Sequence, residues 1–165
     1  MTSASGKYSG KKILIGPSSF AEENRAPYER LVEAGFQVID NPFRRKFTKE
    51  ETMALLGKDI VGLVAGLETL DRKVLAQSGL KVVSRCGAGM ANVDLEAARE
   101  LGIRVYSTPF GPTQAVAEMT VGCLLGLIRQ VPQMDRALHG RLWDKRVGRQ
   151  LKGMTVLIVG LGRIG

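Results

Sequence analysis

Five short apolar runs recur along the first two thirds of the chain, at residues 12–16, 36–39, 60–64, 80–84 and 103–106. The first, Lys12-Ile13-Leu14-Ile15-Gly16, does not alternate with polar positions and predicts a strand buried on both faces. Between the runs the apolar residues fall at helical spacing. Residues 21–34 place Tyr28, Leu31 and Val32 on one face, with Gly35 positioned to close the helix. Thr48, with Glu51 three residues on, is a capping box that opens a helix to Leu56, closed by Gly57. Asp71 caps a short helix to Gln77, and Asp94 caps another from Leu95 to Leu101, stopped by Gly102. Strand and helix thus alternate with short connections. That pattern predicts an α/β fold, a doubly wound parallel sheet with helices on both faces. Such sheets bind ligands beyond the carboxyl ends of their strands. The candidate binding segments are therefore Gly16, Ala65-Gly66-Leu67-Glu68, Arg85-Cys86-Gly87-Ala88-Gly89 and Ser107-Thr108-Pro109. Two of these loops are rich in glycine, which leaves backbone N–H groups free to face an anion.

The pattern changes after residue 112. Val116, Met119, Cys123, Leu127, Val131, Met134 and Leu138 step by three or four, while Ala117, Val121, Leu124, Leu125 and Ile128 fill the other faces. A helix that is apolar nearly all round is buried on more than one side. Pro132 must kink this helix or restart it. Two readings stay open, a core helix of the same domain and a linker helix packed between domains and against a second subunit; the length favours the linker. Residues 141–152 are polar around Trp143 and read as a connector. A further apolar run, 154–159, predicts a strand that leads into Gly160-Leu161-Gly162-Arg163-Ile164-Gly165. That is the G-x-G-x-x-G pattern of dinucleotide sites: one glycine for the turn, one for close approach of a pyrophosphate, one for helix packing. The chain is thereby divided into a flexible leader (1–11), a complete α/β domain (12–112), a linker (113–152) and the opening of a second, dinucleotide-binding domain (153–165).

Composition narrows the functional classes. Apolar residues make up 44% and charged residues 24%, as in ordinary globular domains. The formal net charge is +8, but the basic residues are scattered without interleaved aromatics, so the charge reads as a solvated surface with a bias toward small anions rather than as a nucleic-acid footprint. The two cysteines, Cys86 and Cys123, are far apart and outside any C-x-x-C, which suits reduced thiols in a cytoplasmic protein. No apolar leader is expected at the N-terminus, and the run 121–128 is too short to span a bilayer. The single histidine, His139, reads as a surface residue, and no metal-ligating set is expected. Cys86 reads as a small residue filling a tight strand end, Glu68 as a solvated carboxylate, and Arg85 equally as a ligand-facing cation or as the partner of a nearby carboxylate.

Several of these stretches together carry a resemblance. Ser84-Arg85-Cys86-Gly87-Ala88-Gly89-Met90-Ala91-Asn92-Val93-Asp94 resembles a loop of the D-isomer-specific 2-hydroxyacid dehydrogenases. So, in order, do Ser107-Thr108-Pro109, Ala115-Val116-Ala117-Glu118, Arg129-Gln130-Val131-Pro132-Gln133 and the run from Gly153-Met154-Thr155-Val156 into the glycine pattern. Within that family Ala65-Gly66-Leu67-Glu68 is most like the short substrate loop of the members that oxidise 3-phosphoglycerate. The resemblance implies a flavodoxin-like substrate-binding domain, a linker helix and the first strand of a Rossmann domain. It implies hydride transfer from a small anionic 2-hydroxy acid to NAD, or the reverse from NADH to a 2-oxo acid. It assigns Gly66 and Leu67 as backbone donors to the substrate carboxylate and Arg85, Gly87 and Gly89 to the cleft wall. Gly160, Gly162, Arg163, Ile164 and Gly165, with Ala88, fall to the cofactor. The family's catalytic Arg, Glu and His map beyond residue 165, so no catalytic residue is assigned here and the chain alone is expected to be inactive. The resemblance also implies a homodimer formed through the linker-helix region. A stand-alone flavodoxin-like module that binds a small anion or dimerises is the alternative.

Overall fold

A computed structural model describes residues 8–165 and divides the chain into two compact units, one ending at Pro109 and one beginning at Phe110. The first unit is built on β1 (Lys12–Ile15), β2 (Gln37–Ile39), β3 (Ile60–Ala65), β4 (Val82–Arg85) and β5 (Arg104–Ser107). All pairings are parallel and the strand order is β2-β1-β3-β4-β5. The expected doubly wound sheet is therefore present. Its central strands β1 and β3 are rich in aliphatic residues and buried on both faces, as parallel strands must be when helices cover them.

Alternate residues of each strand serve two cores. Leu14, Leu63, Ala65 and Val83 point to one face and pack with Phe47, Leu56, Val74, Leu75, Ala97 and Ala98. These last residues come from or flank α2 (Lys49–Leu55), α3 (Arg72–Gln77) and α4 (Leu95–Glu100). Ile13, Ile15 and Val64 point to the other face, against Phe20, Phe36, Val38 and Leu31 of α1 (Ala26–Glu33). That second face is open over β4 and β5, where Ser84 and Tyr106 are exposed.

The helix ends follow the capping chemistry. Thr48 Oγ1 accepts from the Glu51 N–H at 3.2 Å, while Glu51 Oε2 accepts from the Thr48 N–H at 2.8 Å, which completes the capping box. Asp71 and Asp94 accept from the N–H groups of Val74 and Ala97. Gly35 (φ +96°) and Gly102 (φ +69°) end α1 and α4 in left-handed conformations. In each case the glycine and the next residue donate back into the last turn, to Val32 and Leu31, and to Arg99 and Ala98.

Four expectations need correction. The helix expected over 21–34 begins only at Ala26: Pro27 sits in its first turn, and Ala21 takes a left-handed conformation that no helix continues. Of the expected leader, residues 1–7 lie outside the described residues, whereas Tyr8 is fixed by stacking on Phe36 at 4.6 Å and by its N–H to the Ala34 carbonyl. The helix over 113–138 is two helices, α5 (Thr113–Ile128) and α6 (Val131–His139), bent by 71°. The break falls at Gln130, which is left-handed, and Pro132 lies in the first turn of α6, so the proline restarts the helix rather than kinking it. Neither α5 nor α6 contains a buried residue. Residues 154–159 form no strand. Their β-branched composition suits a sheet, but a strand exists only with a hydrogen-bonded neighbour, and none flanks this run among the described residues.

No single helix among the described residues is long and apolar enough to cross a membrane; α5 and α6 pass that test of length and composition only as a bent pair.

Candidate functional site

Because every strand is parallel, β1, β3 and β4 end on one edge of the sheet. The strand order turns between β1 and β3, since the chain leaves β1 to one side for β2 and returns on the other for β3. At that switch point, where open α/β sheets bind ligands, lies a cavity of about 410 Å³. Its floor is the backbone after the three strands: Gly16 after β1, Gly66 and Leu67 after β3, and Cys86 after β4. Its charged groups are Lys46, Glu68 and Arg85, and Ser18 and Ser19 add hydroxyls.

The sequence singled out Gly66, Leu67 and Arg85, and all three line this cavity. Arg85 is 8% exposed. Its Nη1 donates to the Cys86 carbonyl, and its Nε is buried without a hydrogen-bond partner. Its charge meets no carboxylate at ion-pairing distance among the described residues, so of the two readings the ligand-facing cation fits the geometry. Gly87 is at φ +135°, and a Cβ there would stand 2.4 Å from Arg85 Nη1; the glycine gives the guanidinium its room. Gly87, Ala88 and Gly89 continue the loop but are not part of the cavity wall.

The free N–H groups expected in these loops are fewer than the glycine count suggests. The Gly87 N–H donates to Thr108 Oγ1 at 2.7 Å, and the Gly66 N–H donates to Glu68 Oε2 at 2.6 Å. Among the described residues, the N–H groups of Leu67, Ala88 and Gly89 have no acceptor. Leu67, whose N–H meets no acceptor, lines the cavity, whereas the Gly66 N–H expected to face a substrate is taken by Glu68 in this structure. Glu68 is corrected as well. It is 1% exposed, not solvated, and its carboxylate is held inside the loop it belongs to. Cys86 is exposed on the cavity wall rather than packed into the strand end.

The sequence reading missed Lys46, Ser18 and Ser19, which reach the cavity from turns with no recognisable motif. It also missed a second hollow of about 570 Å³ beside the first, sharing Pro17 and Ser18 and lined by Arg25, Asp40 and Arg44 among others. Asn41 builds that hollow's wall. Its Oδ1 accepts from the N–H groups of Phe43 and Arg44, and its Nδ2 donates to the carbonyls of Gly16 and Arg45. An Asn-Pro pair was legible as a turn, but not as a tie between the ends of β1 and β2.

In the second unit, Gly160, Gly162, Arg163, Ile164 and Gly165 lie in an exposed turn, with Gly160 at φ +100°. Arg163 stacks over Phe110 at 4.6 Å. A pyrophosphate cradle needs a strand before the glycines and a helix N-terminus after them. The run before the glycines, 154–159, forms no strand in this structure. His139 is exposed and bonded to the Asp135 carbonyl at 3.0 Å. No group of three or more His, Cys, Asp or Glu among the described residues is arranged to hold a metal.

Residues 20–159 match the family model described as D-isomer specific 2-hydroxyacid dehydrogenase, catalytic domain. A D-3-phosphoglycerate dehydrogenase of Sus scrofa is 38% identical over 159 residues, covering 94% of this chain and 28% of the relative. One from Methanocaldococcus jannaschii is 38% identical over 121 residues, covering 72% of this chain and 23% of the relative. Among solved structures, the TT0316 protein of Thermus thermophilus superposes with a TM-score of 0.73 at 31% identity, covering 93% of this chain and 50% of that one. An NADPH-dependent glyoxylate/hydroxypyruvate reductase of Sinorhizobium meliloti, in complex with NADP and malonate, gives 0.68 at 28% identity, covering 94% and 48%. The chain therefore spans about a quarter of the curated relatives and about half of the solved ones. With the parallel sheet, the switch-point cavity and these matches in hand, the chain belongs to the D-isomer-specific 2-hydroxyacid dehydrogenase family.

Proposed function

We propose that this chain supplies the substrate-binding domain of an NAD-dependent dehydrogenase acting on the CH–OH group of a small D-2-hydroxy acid, of the 3-phosphoglycerate dehydrogenase kind. The observation that carries the reading is the pairing, at one cavity, of the buried Arg85 guanidinium with the unpaired Leu67 N–H. A carboxylate is the group that a cation and an amide donor suit together. Lys46 and the hydroxyls of Ser18 and Ser19 line the same space and suit a second anionic or hydroxylated end of the molecule. The cofactor would supply the hydride acceptor. This chain's own residues bind and orient the acid, and none of them is in place to take the hydroxyl proton. The 165-residue chain alone is therefore expected to produce no NADH from D-3-phosphoglycerate; sustained turnover by the pure chain contradicts this. The binding half is tested by NMR titration with D-3-phosphoglycerate. Shifts should centre on Leu67, Arg85 and Cys86, and a response confined to other residues sinks the assignment.

The alternative, a small-anion-binding module without catalysis, draws on the open turn at Gly160–Gly165. It shares the cavity and differs in predicting no NAD binding under any condition. A cytoplasmic location and a homodimer through α5 and α6 belong to the first reading. Exposed Met119, Val121, Leu127 and Trp143 give the dimer its apolar surface, and sedimentation of the chain as a monomer at high concentration contradicts it.

A further inference from the structure

The family resemblance gives the Glu68 carboxylate no role, although Glu68 belongs to the loop likened there to a substrate loop. Its Oε2 accepts the Gly66 N–H at 2.6 Å. The space it occupies is made by two glycines from different strand ends. A Cβ on Gly16 would stand 2.7 Å from Oε1 and 2.9 Å from Oε2, and one on Gly66 would stand 3.0 Å from Oε1. A carboxylate at 1% exposure costs free energy unless it is hydrogen-bonded, so its burial here marks a formed contact rather than a stray surface side chain. The other side of the same loop is held too. Asn92 Nδ2, from the turn after β4, donates to the Glu68 carbonyl at 2.7 Å and to the Gly66 carbonyl at 3.3 Å. Immediately beyond, the Leu70 N–H donates to the Asn92 carbonyl and the Asp94 N–H donates to the Leu70 carbonyl.

We infer that Glu68 is a positioning residue for substrate binding: its carboxylate takes the Gly66 N–H from within, fixes the turn after β3, and leaves the Leu67 N–H as a donor of that loop for the substrate carboxylate, beside Arg85. Glu68 fills the first donor's position with an acceptor of the chain's own, so the loop is ordered before any ligand arrives. Ordering in advance removes a cost that binding would otherwise carry. Lys46 and Arg85 line the same cavity as Glu68. The loop then offers a carboxylate the Leu67 N–H and the Arg85 guanidinium, while the Gly66 N–H is already taken.

The inference rests on the proposed carboxylate-binding role of the cavity, and two readouts on the full 165-residue chain separate them. The first is amide exchange at Gly66, which needs no ligand. It should be slow in the wild type and in Glu68→Gln, whose side-chain carbonyl still accepts, and at least tenfold faster in Glu68→Ala, with β1, β3 and β4 amides unchanged. Equal Gly66 exchange in wild type and Glu68→Ala overturns the inference. The second is titration with malonate, followed at the Leu67 amide. Glu68→Gln should stay within threefold of the wild type, and Glu68→Ala should weaken binding at least tenfold while its strands remain protected. Unchanged affinity in Glu68→Ala overturns the positioning role. A wild type that binds no malonate at Leu67, with Gly66 exchange still governed by Glu68, overturns the carboxylate-binding reading and with it the substrate role of Glu68, leaving only a fold contact.

Discussion

A single carboxylate decides much of what the candidate site can do, and its neighbours can be tested one residue at a time. Gly16→Ala would press a methyl against the Glu68 carboxylate, which could yield only by giving up its place at the Gly66 N–H. Overpacking of this kind costs about 1–3 kcal/mol, to be read as a lower urea midpoint at unchanged m-value. In a Glu68→Ala background the clash disappears, so the same change should cost less than about 1 kcal/mol; such coupling is what contacting residues show, and an additive double mutant contradicts the contact. The same residues explain where the sequence was readable. Gly66, Leu67 and Arg85 were identified because they follow strands in a loop whose sequence pattern is local. The burial of Glu68 was not, because it depends on two glycines, one in its own loop and one far back in the chain at the end of β1, leaving a space of carboxylate size. Nothing in the residues flanking Glu68 carries that information.

Among the elements, those that end in local chemistry were the most legible. The box of Thr48 and Glu51 involves residues three apart and forms as expected. Thr48→Ala should cost about 1 kcal/mol in stability, with loss of amide protection in the first turn of α2. Glu51 also meets Arg45, through contacts of 2.6 and 2.8 Å, and these with the Thr48 N–H hold its carboxyl down at about 2. The unfolded chain's glutamate titrates near 4.3. The pairing therefore adds stability above that value and loses it as pH falls from there toward about 2. Glu51→Gln should flatten acid destabilisation across that interval, and an unchanged acid limb would show that the pair contributes nothing. The Lys49 ammonium and Lys12 ammonium act in the same direction on Asp71 and Asp59. Less legible were elements whose form depends on distant partners. The run 154–159 has strand composition and no ladder, and α5 has apolar residues on every side and none of them buried. In both cases periodicity reported what the residues suit, whereas a strand or a buried helix requires something beside it.

Across the whole molecule, every buried hydrophobic residue among those described lies at or before Ile103. The second unit has exposed apolar side chains throughout. A chain stopped after Pro109 should therefore melt within a few degrees of the 165-residue chain, as a single cooperative transition. A broad or much lower transition would mean that α5 and α6 support the sheet. The order of strands in that sheet has a further consequence during synthesis. β1 emerges first and receives β2 on one side; β3 then takes the free side of β1, β4 the free edge of β3, and β5 the free edge of β4. Each strand after β1 meets a neighbour that is already translated, so the sheet can grow on the ribosome strictly in the order of the message. At about 5–20 residues per second, both cores are complete in sequence several seconds before residue 165 is added. The apolar helix α5 begins ten residues after Ile103 and so follows the last core residue by about 0.5–2 s, while pairing in order limits the time that exposed strand edges spend available to other nascent chains.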